Sequence, residues 1–395
     1  MLILKADRII TGDGKTVIDN GFIKLNDEGI IVETGIKENL KTGDADNVVS
    51  YEGSTIMPGL FDLHIHTGNW WRLPDKQNYN DYLIALYTAD RLKKILAKGV
   101  TTIRDAMSPD GVMRSMKYAA VESKFIKAPR IFHTNVALTP TGGHCHTNHG
   151  SVLIADGVEG CRRAVREQVM KGVDFIKAMG NDGDKIDYNQ EEMSAIADEA
   201  HRLGKKICVH ASTTEAIEIA INAGVDTIEH GSFMTEEQAK KMIKSGQVWV
   251  PTMVAYFFWA DKTTLDLNDP KASPEAVAYA RNLNQFFINC VKSYTAILKK
   301  YNDMGIKIAT GSDNGLAEVD VELKLMCQLG LSPLRAIECA TSAAAEVCSI
   351  GDKVGRIIPG HIADLLVVNG NPLADISAVS NVREVYQGGK AVGSV

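Results

Sequence analysis

The hydrophobic pattern of the chain divides it into two kinds of sequence. Near both ends, short β-branched runs are separated by turn sequences such as Gly-Asp-Gly and Asn-Gly, which predicts β structure over residues 1–57 and 355–395. Neither end has enough strands to bury a sheet face alone, so we expect both to combine into one small β domain. Residues 58–354 instead alternate short apolar runs with amphipathic segments.

The middle of the chain predicts an α/β fold with parallel strands. Its eight apolar runs are GLFDLHI, VTTIRDA, RIFHTNV, VDFIKAM, KICVHAS, VDTIEHG, QVWVPTM and IKIATGSD. Strands that alternate with helices form a parallel sheet, and eight such units over this length predict a TIM-like (β/α)₈ barrel. A doubly wound open sheet is the alternative, but no Gly-x-Gly-x-x-Gly motif follows the first run.

Composition limits the classes of function. The 395 residues are 45% hydrophobic and 23% charged, as in ordinary globular proteins. A net charge of −6 gives no basis for binding nucleic acid or an anionic membrane, and no apolar run is long enough to span a bilayer. The start, MLILKADRII, lacks the features of a signal peptide. Seven single cysteines without a Cys-x-x-Cys pair fit a reduced, cytoplasmic setting.

Ligand-type side chains stand where the predicted strands end. His64 and His66 alternate at the end of the first run and therefore project to one side of that strand. The later runs supply four more such groups: Lys177, His210, His230 and Asp313. The separations correspond to whole numbers of βα units, so all six groups are expected at the carboxyl ends of the strands, where barrel active sites lie. Four imidazoles and a carboxylate suit zinc or a similar divalent ion.

Lys177 fits such a site only in a modified form. A protonated lysine is repelled by cations, whereas a desolvated, neutral amine can capture carbon dioxide as a carbamate that bridges two metals. Each residue also has a simpler interpretation by itself. A single histidine can be a core residue, Lys177 can reach solvent, and Asp313 can be a turn or cap residue.

The same segments carry a family resemblance. MPGLFDLHIHTG, GVDFIKAM, ICVHAS, GVDTIEHGS, GIKIATGSDN and the tail GRIIPGHIADLLVV resemble the amidohydrolase superfamily, in particular the imidazolonepropionase-related branch with its Xaa-Pro and Xaa-Arg dipeptidases. The resemblance implies a barrel, a terminal β-sandwich and a binuclear, zinc-type centre. It places one metal on His64, His66, carboxylated Lys177 and Asp313. The second metal would lie on Lys177, His210 and His230.

The resemblance also implies a reaction. A metal-bridging hydroxide would attack an amide-type C–N bond of a small substrate, a dipeptide or an N-acyl amino acid, with Asp313 as the proton carrier. The alternatives are a cyclic amide such as a lactam or imidazolone, a urea or a carbamate. A deaminase is disfavoured because deaminases of the superfamily usually lack the lysine. A non-catalytic relative would have lost a ligand. Superfamily relatives often self-associate, so a homo-oligomer remains open.

The segment TPTGGHCHTNHG provides the candidate that would touch the reacting carbonyl. His144 follows Gly142-Gly143, and related amidohydrolases carry a similar GGH facing substrate, so His144 is expected to polarise the carbonyl or stabilise the oxyanion. Its neighbours Cys145, His146 and His149 belong to a solvated loop or to an additional metal site. Three further histidines are expected in the pocket or core (His133), on the surface (His201) and in a structural turn (His361).

Two aromatic-rich loops and one serine bear on the substrate. TGNWWRLPDKQNYNDY holds Trp70, with Arg72 or Lys76 as a partner for a free carboxylate, and VPTMVAYFFWADKT holds Tyr256. If these loops line the pocket rather than pack on helices, the substrate has an apolar or aromatic portion. Where dipeptidases of the branch tend to have HAYT, with the tyrosine at the carbonyl, this chain has HAST with Ser212. This difference keeps the alternative substrates open.

Overall fold

The structure, a computed structural model, describes residues 1–68, 80–148, 150–261 and 274–393. The strands are β1 Leu2–Ile10, β2 Val17–Leu25, β3 Ile31–Ile36, β4 Asn47–Pro58, β5 Leu60–Ile65, β6 Val100–Asp105, β7 Arg130–His133, β8 Ala137–Thr139, β9 Val152–Ile154, β10 Phe175–Met179, β11 Asn181–Asp182, β12 Lys185–Ile186, β13 Lys206–Ala211, β14 Thr227–His230, β15 Val248–Val250, β16 Lys307–Ile308, β17 Leu365–Asn369, β18 Val382–Gln387 and β19 Lys390–Ala391. The helices are α1 Asp81–Ala97, α2 Val112–Lys117, α3 Gly157–Met170, α4 Gln190–Arg202, α5 Thr214–Asn222, α6 Glu236–Ser245, α7 Met253–Asp261, α8 Pro274–Met304, α9 Val319–Gln328, α10 Pro333–Cys339 and α11 Ser342–Val347.

The central part of the chain is a parallel α/β structure, as the sequence predicts. The eight apolar runs form β5, β6, β7, β10, β13, β14, β15 and β16. One sheet has the order β5-β6-β7, and a second has the order β16-β15-β14-β13-β10-β8-β9. The pairs within both sheets are parallel, so the carboxyl ends of neighbouring strands meet at a common edge.

The strand pairs of these two sheets do not close into one ring among the described residues. Individual backbone hydrogen bonds nevertheless join the sheets. Leu63 of β5 donates to Thr310, just after β16, at 2.9 Å, and Asp174, just before β10, donates to His133 of β7 at 2.9 Å. The arrangement of strands expected for a barrel is therefore present, without the closed ladder.

The two ends of the chain form a single seven-stranded sheet. Its order is β19-β18-β17-β4-β1-β2-β3, in which β1 and β4 are parallel and the other pairs are antiparallel. The ends therefore combine as expected, but the two-layer sandwich is not confirmed. The physical reason is that β4 pairs with β1 on one side and with β17 on the other, which joins the strands of both ends into one ladder.

Helices pack against the parallel sheets through their apolar faces. α4 begins with a capping box in which Asn189 and Glu192 exchange hydrogen bonds, and α6 begins with the same arrangement of Thr235 and Gln238. The central hydrophobic core lies between these helices and the strands, and a separate core lies within the terminal sheet. None of the described helices is long and apolar enough to cross a membrane.

Candidate metal centre and substrate cavity

Six side chains meet at the carboxyl ends of the parallel strands. His64 lies at the end of β5 and His66 just after it, while Lys177 lies in β10, His210 in β13 and His230 at the end of β14. Asp313 follows β16 by a few residues. All six line one small cavity of ≈ 150 Å³, together with residues that include Met107, Cys145 and Met179. The structure therefore brings together every residue that the sequence analysis named as a metal ligand.

The donor atoms are close enough to share an ion. Ligand atoms of His64, His66 and Asp313 all lie within 4.8 Å of one another, and His66 Nε2 is 3.0 Å from Asp313 Oδ1. The imidazole rings continue across the cavity: the ring centroid of His230 is 4.9 Å from that of His64 and 4.5 Å from that of His210. Four imidazoles, a carboxylate and a buried amine converge on a space large enough for one or two ions.

Lys177 lies before the end of its strand, whereas the sequence predicts it at the strand end. It is the third residue of β10, and the strand register pairs Met179, not Lys177, with His210. The long side chain makes up the difference, since Lys177 Nζ reaches 3.3 Å from His64 Nε2. Lys177 is 1% exposed, and no ion pair involves its amine in the part of the chain that the structure describes.

Backbone strain concentrates at this cavity. Asp313, His230 and Thr252 adopt left-handed φ angles of 50°, 67° and 51°, which non-glycine residues rarely adopt and which cost about 1 kcal/mol or more each. Local contacts hold them: Asp313 N donates to His64 O at 2.6 Å, and Thr252 Oγ1 lies 2.7 Å from His230 Nδ1. Gly311 is needed for the close approach, because a Cβ there would lie 2.7 Å from His64 Cβ.

Burial sets the protonation states of the imidazoles. Desolvation, followed by the charge of Lys177, lowers the pKa of His64 to about 4. Desolvation also holds the pKa values of His210 and His230 well below the usual range. Burial alone would raise the pKa of Asp313, but the hydrogen bond with His66 and the nearby histidines hold it well below its usual range. Neutral imidazoles and an ionised carboxylate are the forms that coordinate metals.

A buried ion pair behind His64 was not anticipated from the sequence. Glu229 Oε2 lies 2.7 Å from His64 Nδ1, and Glu229 Oε1 accepts from Arg104 Nη2 at 2.7 Å. Burial would raise the pKa of Glu229, but Arg104 and His64 hold it far below its usual range. A carboxylate on the second ring nitrogen fixes the orientation of an imidazole and leaves Nε2 for a metal. The available signal was a charged residue inside each of two apolar runs, VDTIEHG and VTTIRDA.

A second buried carboxylate ties the Asp313 loop to β5. Asp62 Oδ1 accepts from the backbone nitrogens of His64 at 3.1 Å and Ser312 at 3.0 Å, and its other oxygen accepts from the Ser312 hydroxyl. Burial raises the pKa of Asp62 to about 7. This clamp fixes the position of Asp313 relative to the two histidines of β5.

His144 lies beside the six-residue cluster and carries its own carboxylate. Its ring stacks on that of His210 with the centroids 4.4 Å apart, and its Nδ1 is 2.9 Å from Asp182 Oδ1 in the β11–β12 hairpin. Its backbone N donates to Asp187 at 2.9 Å, which anchors the loop. Burial would lower the pKa of His144, but the hydrogen bonds with Asp182 and Cys145 raise it to about 10. The imidazole is therefore cationic near neutral pH.

A larger cavity of ≈ 410 Å³ adjoins the cluster and shares His144, His210 and Asp313 with it. One wall is mainly apolar and comprises Tyr256, Trp259, Leu283, Phe286 and Phe287, and the other is polar and includes Asn181, Asp182, Asp184 and Ser212. The aromatic segment after β15 thus lines the pocket rather than only packing on helices. Ser212 Oγ and Tyr256 Oη are 2.9 Å apart.

The other candidate residues from the sequence differ in their position relative to the two cavities. His133 and His361 are buried and line neither cavity, while His201 pairs with Asp226 on the surface of α4 at 2.9 Å. His146 Nδ1 bonds to Gly143 O at 3.0 Å within its loop, whereas Cys145 borders the smaller cavity. Four other predicted residues lie outside the described part of the chain: Trp70, Arg72, Lys76 and His149.

Comparison with known proteins agrees with this geometry. The sequence model of the Amidohydrolase family matches residues 55–392. This chain belongs to the amidohydrolase family. The match spans the central α/β structure and, in the terminal sheet, the end of β4 with β17, β18 and β19.

Individual relatives extend over nearly the full length. The ochratoxinase of Aspergillus niger is 28% identical over 98% of this chain and 86% of its own length. A crystal structure of a Xaa-Pro dipeptidase with bound methionine in the active site superposes with a TM-score of 0.87, at 28% identity and 99% coverage of both chains. A prolidase complexed with N-methylphosphonate-L-proline superposes with a TM-score of 0.83, at 30% identity and 99% coverage of both chains. The chain is therefore a hydrolytic enzyme, an amidohydrolase that acts on amide bonds.

Proposed function

We propose that this chain is a metal-dependent hydrolase that cleaves the amide C–N bond of a small substrate, either a dipeptide or an N-acyl amino acid. The observation that carries the proposal is the clustering of His64, His66 and Asp313 donors within 4.8 Å, in a cavity that Lys177, His210 and His230 also line. The relatives named for ochratoxin and for Xaa-Pro dipeptides support the same bond type.

The donor set fits two divalent ions, and zinc suits it best. Burial keeps the imidazoles of His64, His210 and His230 neutral, and imidazole with carboxylate is the ligand chemistry of zinc. The buried amine of Lys177, 3.3 Å from His64, would join this donor set in its carboxylated form. His64, His66 and Asp313 would hold one ion, and His210 and His230 the other. When bound, the ions would supply an activated water near neutral pH and polarise the scissile carbonyl.

The side chains around the cluster supply the proton and charge chemistry. Asp313 borders both cavities, so it can take a proton from the attacking water and pass it to the leaving nitrogen. His144, cationic through Asp182, can donate to the carbonyl oxygen as negative charge develops there. The apolar wall of the larger cavity suits a substrate with an aromatic or bulky aliphatic portion.

The cellular setting is part of the same proposal. All seven cysteines are unpaired, which fits a reduced cytoplasm. The expected partner is a small molecule, since the acidic chain has a net charge of −6 and no electrostatic reason to bind nucleic acid.

A substrate panel with metal removal tests the proposal. Dipeptides, N-acyl amino acids, a lactam and a phenylurea would be assayed for a released amine, before and after treatment with dipicolinate. We expect cleavage of dipeptides or N-acyl amino acids, loss of activity on chelation, and recovery when Zn²⁺ is returned.

Each outcome bears on a different part of the proposal. Undiminished cleavage in the protein shown to be free of metal would contradict the metal requirement. Cleavage confined to the lactam or the phenylurea would keep the family chemistry but replace the proposed substrate class.

A further inference from the structure

Tyr256 borders the larger cavity and contacts His230 of the six-residue cluster. Tyr256 lies in the first turn of α7, where Glu322 of α9 accepts the backbone N–H groups of Met253 at 3.0 Å and Val254 at 2.8 Å. Its ring centroid is 5.3 Å from that of His230, and the side chain is 4% exposed yet borders the larger cavity. The helix anchor and the ring contact fix the phenol beside the proposed reaction centre.

The hydrogen bonds of Tyr256 differ from those of two nearby buried tyrosines. Tyr294 donates to the carbonyls of His230 and Pro251, at 3.2 and 3.1 Å, and also lies 2.9 Å from the Ser232 hydroxyl. Tyr301 donates to the carbonyl of Met234 at 3.0 Å. Tyr256 Oη instead lies 2.9 Å from the Ser212 hydroxyl, and no backbone carbonyl of the described residues accepts a hydrogen bond from it. A backbone carbonyl can only accept, so it holds a phenol proton permanently, whereas a serine hydroxyl can donate instead.

Ser212 is well placed to make that donation. It is 1% exposed, its backbone N donates to Asn181 Oδ1 at 2.8 Å, and it borders the same larger cavity as Tyr256. When Ser212 donates to Tyr256 Oη, the phenol proton can rotate about the C–O bond towards a substrate oxygen while the ring stays in place.

We propose that Tyr256 is a catalytic residue that donates a hydrogen bond from Oη to the reacting carbonyl oxygen, and that Ser212 is its positioning residue. The inference rests on the proposed amide hydrolysis at this site. The aromatic ring is explained by packing, because the ring centroids of Phe287 and Tyr294 lie 5.5 and 5.6 Å away. Phenylalanine would pack equally well, so the hydroxyl is the part that packing leaves unexplained.

Steady-state kinetics with four variants test the inference. The probe is N-benzoyl-L-phenylalanine, or the panel compound that the wild-type enzyme cleaves fastest. Because an oxyanion donor acts mainly in the transition state, Tyr256→Phe should lower kcat by roughly 100-fold and change KM by less than about threefold. Ser212→Ala should lower kcat by about tenfold, while Ser212→Thr, which keeps a hydroxyl, should recover most of the loss.

Tyr301→Phe is the matched control, because it removes another buried phenol hydroxyl from a residue that borders neither cavity. It should retain wild-type kinetics. A thermal melt of each variant separates folding from catalysis. A further measurement is calorimetric binding of N-(phenylphosphonyl)-L-phenylalanine, a tetrahedral analogue of the probe. Tyr256→Phe should weaken this binding by at least about tenfold while leaving the affinity for benzoate unchanged.

The outcomes distinguish this inference from the proposed function. Wild-type kinetics and wild-type analogue binding in folded Tyr256→Phe would overturn the role of Tyr256 while hydrolysis itself stands. Equal losses in Ser212→Ala and Ser212→Thr would overturn the role of Ser212. A wild-type enzyme that cleaves no member of the panel would remove the proposed function, and this inference with it.

Discussion

Asp313 has a strained backbone, a charged side chain and a position at the border of both cavities. Its φ of 50° lies in the left-handed region, and its backbone and side chain both contact the histidines of β5. A strained conformation persists only where the surroundings hold it, and here the Asp62–Ser312 clamp and the close approach of Gly311 do so. Among the described residues, Asp313 is the one carboxylate that borders both cavities, and the fold fixes its position.

Asp313→Asn tests the role of this carboxylate as the proton carrier. Asparagine keeps the size and one oxygen but cannot take up a proton, so kcat should fall by roughly 10²–10⁴-fold with the melting temperature little changed. Asp90→Asn, at an exposed position of α1, is the control and should keep wild-type kcat. Near-normal turnover of folded Asp313→Asn would remove Asp313 as the proton carrier.

At the residue scale, the sequence predicts the cluster well but not what surrounds it. His64 and His66 could be paired by strand alternation, and the later members by their places at strand ends, because those rules are local and periodic. Glu229 and Arg104 could not be assigned, since their partners come from other strands and only the assembled sheets bring the two charges together. Asp182 likewise gave no sequence signal for its contact with His144.

At the scale of elements, α3 and α4 are joined by a cluster of arginines around one acid. Glu199 of α4 is 1% exposed and pairs with Arg162 and Arg166 of α3 and with Arg202 of its own helix. The hydrogen bonds from Arg202 and then Arg166 lower the pKa of Glu199 to about 2. A carboxyl group whose pKa is lower in the folded than in the unfolded protein stabilises the fold at higher pH.

The substitution Glu199→Gln measures the contribution of this carboxylate to the stability of the fold. Stability from Glu199 is fully present above the unfolded pKa near 4.5 and is lost as the pH falls through about 2. At pH 7 the unfolding free energy of the variant should be about 1 kcal/mol lower than that of the wild type; the effect is small because the arginines are partly exposed. On acidification the unfolding free energy of the variant should fall by less than that of the wild type. Urea unfolding at pH 7 and pH 3 measures both effects, with the exposed Glu122→Gln as control. Parallel pH profiles for wild type and Glu199→Gln would show that the ion pairs contribute nothing.

Element prediction succeeded where apolar runs are long and failed where they are short. Each of the eight runs of the central region contains a strand, because each run is rich in apolar and β-branched residues. The strands β8 and β9 were not anticipated, since each has three residues and they pair across the Gly- and His-rich loop that carries His144. The aromatic segment after β15 was expected to be a loop but is largely the helix α7, which is why Tyr256 is held so firmly.

At the scale of the whole molecule, the two chain ends complete one sheet beside the central α/β structure. The short strand runs at each end predicted that the ends would combine. These runs contain no information on which strands pair, so a single sheet could not be distinguished from a two-layer sandwich. β4 ends at Pro58 and β5 begins at Leu60, so the terminal sheet leads directly into the strand that carries His64. The cluster therefore lies next to a sheet that contains strands from both ends of the chain.

We propose above that this amidohydrolase works with two metal ions held by the strand-end cluster. The most direct test is the metal content of the purified, hydrolytically active enzyme, measured by inductively coupled plasma mass spectrometry against protein concentration. We expect about two divalent ions per chain, mainly zinc. An active enzyme that contains one ion per chain would contradict the binuclear centre, and one that contains none would contradict metal dependence altogether.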